Sequence, residues 1–381
     1  MLVQIDNRFG SRAALVCFSH LRWDFVYQRP QHLLSRAARG TEVFYFEEPV
    51  FGASEALLER KPTTSGVVVL VPHLVDVQDD KVHDRQLRKL LDEFLEVERF
   101  DYLTAWYYTP LALRFSDHIR PDFCVYDCMD ELSAFRFAPP ESVTAEKQLL
   151  ACCDVVFTGG ESLYESKRHS HRNVCCFPSS VDKAHFASAR AMTRARSADV
   201  SHVSVGPLVG FFGVIDERMD FDLVQRLAEL RPLTQFIMLG PLAKVSEGDL
   251  PQAANLHWLG GRNYLELPKY LAQWDAGFMP FALNESTRFI SPTKTPEFLS
   301  AGLAVVSTNI ADVARPYGQQ GLVEIAHSAE EFAPALDRAI SRRDDQHRLG
   351  RVDSFLADKS WDDTFRQMQM VIGNDQRSLA S

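Results

Sequence analysis

No run of about 18 apolar residues occurs in the 381-residue chain, so no membrane-spanning helix is expected. The opening stretch MLVQIDNRFGSR lacks the long apolar h-region of a secretory signal. The expected compartment is therefore the cytoplasm. Positive charge is also in deficit: 41 basic against 51 acidic residues leave a net charge of −10. A nucleic-acid binder usually carries the opposite footprint, so no nucleic-acid partner is expected. Three ligand signatures are missing. No G-x-G-x-x-G follows a strand-like segment, and there is neither a Walker A motif nor a G-x-S-x-G elbow. Dinucleotide hydride transfer, P-loop hydrolysis and α/β-hydrolase chemistry are thereby disfavoured. The seven cysteines (Cys17, Cys124, Cys128, Cys152, Cys153, Cys175 and Cys176) mostly fall in apolar strand-like or helix-end segments, as reduced buried thiols do. Cys124 and Cys128 lack a second ligand pair at zinc spacing, so no metal site is assigned.

What is present reads as two α/β domains. Hydrophobic residues make up 46% of the chain, ample for two cores. Short, continuously apolar runs such as AALVCFS (13–19), DVVFT (154–158), QFIMLG (235–240) and NLHWLG (255–260) suit strands buried on both faces. Segments of helical period alternate with them, as at 84–97 and 220–230. This alternation predicts parallel sheets with helices on both faces. Residues 191–206 are small, polar and basic without a lasting apolar period, and are expected to link the domains. The expected organisation is a Rossmann-like N-terminal domain over 1–190, the linker, a Rossmann-like C-terminal domain over 207–360, and a crossover helix and tail over 361–381. Ligands of such sheets bind outside the carboxyl ends of the strands, here in a cleft that both domains face.

The most informative stretch is SPTKTPEFLSAG (291–302). Pro292 and Pro296 set φ around a helix start, Thr295 is a candidate cap, and Gly302 is a stop. A loop feeding a helix beside a parallel sheet can hold phosphate, and Lys294 adds a cation there. Together with SHLRWDFVYQRPQHL (19–33), VGFFGVIDERMDFDLVQRLAELRPLTQFIMLGP (209–241), NLHWLGGRNYLELPKYLAQWDAGFMPF (255–281) and TRFISPTKTPEFLSAGLAVVSTNIADV (287–313), it gives the chain its resemblance to GT-B glycosyltransferases. The likeness is to the family-4-like bacterial branch of cell-wall and capsular polysaccharide assembly.

The resemblance implies sugar transfer from a UDP-, GDP- or dTDP-linked donor to a glycan, lipid-linked or small-molecule acceptor, without an obligatory cofactor. It implies that the C-terminal domain holds the donor. Glu297 would accept hydrogen bonds from ribose hydroxyls. Ser291, Thr293 and Lys294 would grip the phosphate and sugar, with Pro292 removing one amide donor. Gly213 would allow close backbone approach, Arg218 would meet the diphosphate, and Gly261 and Arg262 would read the base. Asp216, Glu217 and Asp220 leave a solvated charged loop as the rival reading of Arg218. Relatives often carry E-x7-E; here Phe289 stands at the first position, with Asn284 and Glu285 offset, which leaves inversion or retention open. On the acceptor side, His20, Asp24 and Asp130 are candidates for catalysis or orientation, and Gln28 and Arg29 for an acceptor or phosphate contact. Basic clusters at 168–172 and 190–196 offer a peripheral contact with an anionic membrane at its inner face, or are solvated surface charge. An epimerase or hydrolase acting on the same nucleotide-sugar, and a non-catalytic nucleotide-sugar-binding scaffold, are the alternative functions.

Overall fold

A computed structural model describes residues 12–196, 198–200, 203 and 205–379. The chain divides into two units. One comprises the residues up to Pro178 together with those from Asp362 onward, and the other runs from Ser179 to Trp361. The division falls at Ser179, ahead of the 191–206 segment. Arginines hold the described residues around that segment within the second unit. Arg190 pairs with Asp353 at 2.8 Å and donates to the Ser300 carbonyl at 2.8 Å. Arg194 pairs with Asp344 at 3.0 Å, and Arg196 donates to the carbonyls of Val203 and Gly206 at 2.6 and 2.9 Å. Besides these arginines the stretch buries Val200 and Val203 in the core, two apolar positions that are too few to leave a periodic signal in sequence.

The first unit contains β1 (Ala13–Phe18), β2 (Glu42–Phe46), β3 (Val50–Phe51), β4 (Leu57–Pro62), β5 (Val67–Leu74), β6 (Tyr102–Tyr107), β7 (Phe123–Cys128), β8 (Val155–Thr158) and β9 (Val174–Cys176). Among the described residues they form one sheet, ordered β3-β5-β2-β1-β6-β7-β8-β9 with β4 on β5. Pairing is parallel except for β4, which runs antiparallel to β5 with Leu57 opposite His73 and Pro62 opposite Val68. β4 was not expected: LLERKP neither alternates nor makes an apolar run, and most of it is exposed at the sheet margin. The chain builds β2 and β5 on one side of β1, then returns to place β6 on the other. The loops after β1 and β6 therefore open a crevice at the carboxyl ends. Cys17, Cys124, Cys128 and Cys153 are buried free thiols in this unit; burial pushes them upward in pKa and keeps them protonated.

The second unit contains β10 (Leu208–Phe212), β11 (Gln235–Leu239), β12 (Leu256–Trp258), β13 (Ala276–Met279), β14 (Val305–Ser307) and β15 (Val323–Ile325). They form an all-parallel sheet ordered β12-β11-β10-β13-β14-β15. β10, β11, β13 and β14 are buried along their whole length, which explains their unbroken apolar sequences. Here the order reverses between β10 and β13. The final helix, Trp361–Leu379, begins in the second unit and continues in the first, where Asp362 pairs with Arg36 and Arg39 at 2.9 and 3.2 Å. No helix among the described residues is long and apolar enough to cross a membrane.

Candidate functional site

The crevice of the second unit is built from the loop after β10 and the segment after β13. Gly213 follows β10 with φ +125°, a conformation that L side chains rarely adopt. Its N–H donates to the Leu239 carbonyl at 2.9 Å. A Cβ at Gly213 would collide with Cε and Nζ of Lys294, so the lysine lies directly over the turn. The Lys294 ammonium is 5.6 Å from the centroid of Phe211. Lys294 opens the helix Lys294–Ser300, and Glu297 lies one turn further along it. Glu297 is 5% exposed. Burial pushes its carboxyl up to about 7, against the downward pull of the Lys294 charge.

The helix start differs in detail from expectation. Thr293 precedes the first helical residue and makes no side-chain cap. Thr295 lies inside the helix, and its hydroxyl donates to the Met279 sulfur at 3.5 Å, so it is not the cap. The backbone is fixed instead by Thr295 N–H to Pro292 O at 3.2 Å and Glu297 N–H to Thr293 O at 3.3 Å. The carbonyl of Ser291 accepts from the Ser179 hydroxyl at 2.8 Å. Asn284 caps the short turn at 285–287, where Glu285, largely exposed, pairs with Arg288 at 3.8 Å. Arg288 in turn lies over the Phe289 ring at 5.1 Å.

The other donor-side candidates have internal partners. Arg218 is gripped by Asp216, with Nη2 to Oδ2 at 2.6 Å and Nε to both oxygens at 3.1 and 3.0 Å. The Arg262 guanidinium donates to Tyr270 Oη at 2.7 Å, to the carbonyls of Leu259 and Gly261 at 2.6 and 2.9 Å, and to Asp199 at 3.1 Å. Its side chain braces the second unit, so only the main chain of Gly261 and Arg262 is available in the role expected of them.

In the first unit, the loop after β1 is stapled by Trp23 N–H to Glu47 at 2.8 Å, Arg22 to the Pro49 carbonyl at 2.9 Å, and Gln31 Nε2 to the Trp23 carbonyl at 2.7 Å. Half-buried His20 and exposed Asp24 sit on this loop. The Gln28 N–H donates to Gln31 Oε1 at 3.0 Å. Arg29 is 3% exposed and bound into the fold: it pairs with Asp127 at 2.8 Å and donates to the Phe177 carbonyl at 2.8 Å. An outside anion would have to displace a buried carboxylate to reach it. Asp127 is a partner that sequence spacing could not supply, 98 residues away. Asp130 is half-buried just past β7, where Cys128 Sγ points to its carbonyl at 3.6 Å. The same loop is anchored by Lys167, which bridges Glu131 and Glu146 at 2.6 and 2.7 Å.

No protein-family model matches the chain. A curated relative, the putative teichuronic acid biosynthesis glycosyltransferase TuaH of Bacillus subtilis (strain 168), is 26% identical over 316 residues, covering 77% of this chain and 78% of the relative. Among solved structures, sucrose-phosphate synthase from Thermosynechococcus elongatus superposes with a TM-score of 0.70 at 13% identity, over 97% of this chain and 100% of that one. The chain has the GT-B fold. The same fold is seen in a UDP-forming α,α-trehalose-phosphate synthase from Burkholderia xenovorans (TM-score 0.66, 13% identity, 96% and 100% covered) and in Anabaena HepE solved with UDP and glucose (0.62, 13%, 94% and 99%). Within this fold the structure brings Gly213, Lys294 and Glu297 together in one crevice, whereas Arg218, Arg262 and Arg29 each carry a carboxylate of their own. No group of three or more His, Cys, Asp or Glu side chains is placed to hold a metal among the described residues.

Proposed function

We propose that this chain is a glycosyltransferase that transfers a sugar from a nucleoside-diphosphate sugar to a glycan or lipid-linked acceptor in cell-envelope polysaccharide assembly. The observation that carries the reading is the ammonium of Lys294 lying over the Gly213 turn, beside buried Glu297, where the strand order reverses between β10 and β13. Such a reversal is the ligand edge of an open parallel sheet. The curated relative is named for teichuronic acid biosynthesis, and a structural neighbour was solved with UDP. Cleavage of the donor leaves negative charge on the diphosphate. Lys294, Arg218 and the backbone of Ser291 and Thr293 stabilise that charge without reorganising. Glu297 accepts from the ribose hydroxyls, and the main chain of Gly261 and Arg262 meets the base. His20, Asp24 and Asp130 orient the acceptor, and one of them takes its proton if the reaction inverts.

The 168–172 cluster leads into the amino end of β9, opposite the carboxyl ends that carry His20. Arg190, Arg194 and Arg196 are committed to internal partners. A lipid-linked acceptor is therefore assigned to the loop after β1, which exposes Phe25 and Tyr27. Calorimetric titration of the purified chain with UDP, GDP, dTDP and their sugars tests the reading. UDP or a related nucleoside diphosphate is expected to bind, and Glu297→Ala is expected to weaken binding more than His20→Ala does. Absence of binding at millimolar nucleotide, or the reverse ranking, removes the donor-site assignment. Turnover of donor without any acceptor would move the assignment to the epimerase or hydrolase class.

A further inference from the structure

We infer that Asp216 limits how tightly the second unit holds a nucleoside diphosphate, by competing with its phosphates for the Arg218 guanidinium. This rests on the donor site proposed above. The side chain of Asp216 is 11% exposed. Its oxygens take Arg218 Nε at 3.1 and 3.0 Å, Nη2 at 2.6 Å, and the Arg218 backbone N–H at 3.0 Å. The Nε–Nη2 edge of a guanidinium is a fork that matches one planar carboxylate or one phosphate at a time. Asp216 occupies that edge.

The loop has little freedom to draw the two apart. Ala282 N–H donates to the Arg218 carbonyl at 2.8 Å, Asp220 N–H donates to the Pro280 carbonyl at 2.8 Å, and Met219 bridges to Phe281. An exchange of carboxylate for phosphate must therefore happen at the side chains, within a loop tied to the segment after β13. Glu217 adds a second negative charge. Its side chain is 11% exposed, one oxygen lies 3.4 Å from Lys244, and the other is buried without a hydrogen-bond partner. Asp216 on the guanidinium, and Glu217 between Asp216 and Arg218 in the chain, oppose an incoming phosphate. The same opposition speeds departure of the nucleoside diphosphate product, a step that commonly limits turnover.

A purely structural Asp216 and a competing Asp216 predict opposite signs, which makes the test decisive. The full chain is titrated with UDP, GDP and dTDP at low and high salt, as wild type, Asp216→Asn, Asp216→Ser and Arg218→Met. Asp216→Asn is expected to lower the melting temperature, because an ion pair is lost, and yet to tighten nucleotide binding about fivefold with a steeper salt dependence. Asp216→Ser removes the same charge with a smaller side chain and is expected to shift affinity in the same direction. Arg218→Met is expected to weaken binding. Unchanged or weaker binding in both Asp216 variants overturns the inference, since damage to the loop cannot tighten a ligand. If Arg218→Met leaves affinity unchanged, the competition is overturned while the donor site on Lys294 and Glu297 stands. If the wild type binds none of the three nucleotides, the donor-site reading falls, and the inference falls with it.

Discussion

Glu297 carries a cost that its surroundings make readable. Buried beside Lys294, its carboxyl is pushed up to about 7, above the ordinary carboxylate value of an unfolded chain. Between those two values the native state binds more protons than the unfolded state, so stability falls as pH rises from about 4.5 to about 7 and levels off above. Glu297→Gln removes that slope. The variant is expected to gain about 1–3 kcal/mol on wild type at pH 8 relative to pH 5, read by urea unfolding at both values, while losing nucleotide affinity. Identical pH profiles for the two proteins would show that the carboxyl titrates normally. Gly213 makes the second test at this scale. Alanine there meets both an unfavourable φ and the Lys294 side chain. It should cost about 1–2 kcal/mol of stability and displace the ammonium. Binding should then suffer in Gly213→Ala as much as in Lys294→Ala; a variant that binds normally would detach Lys294 from the nucleotide.

Elements in the first unit are joined by buried charge. The Arg29–Asp127 pair ties the start of the helix Arg29–Ala37 to the carboxyl end of β7, with both side chains almost inaccessible. Breaking such a pair strands an uncompensated charge. Asp127→Ala is therefore expected to destabilise by about 3–5 kcal/mol, and Arg29→Met with Asp127→Leu by much less. Chemical denaturation of the single and double variants separates the outcomes; equal losses would mean that the pair itself stabilises the fold. Lys167 acts similarly on the loop past β7, holding Glu131 against Glu146. Elements expected from periodicity, such as the helix Phe221–Leu230 with Leu223, Val224, Leu227 and Ala228 buried, formed where the apolar spacing put them.

Across the whole molecule, the two units give nucleotide binding a local signature. A ligand that binds only the native second unit stabilises that unit by mass action. Hydrogen exchange with UDP present is expected to slow at 213–218 and 291–297 and to stay unchanged across β1–β9. Protection confined to the first unit would reverse the donor and acceptor assignments. Much of this architecture was legible in the sequence alone. Unbroken apolar strands alternating with amphipathic helices determine two parallel α/β layers, because backbone period and burial are local properties. The proposed phosphate and ribose partners of the SPTKTPEFLSAG loop were likewise read from its residue types. Only the tertiary structure decided which cations are already taken. Asp127 reaches Arg29, Asp199 reaches Arg262, and Asp216 turns back on Arg218. It also decided that Lys294 lies over Gly213, 81 positions earlier in the chain. Charge pairing depends on distance in space, and the sheet order that sets those distances is not a local property of the chain.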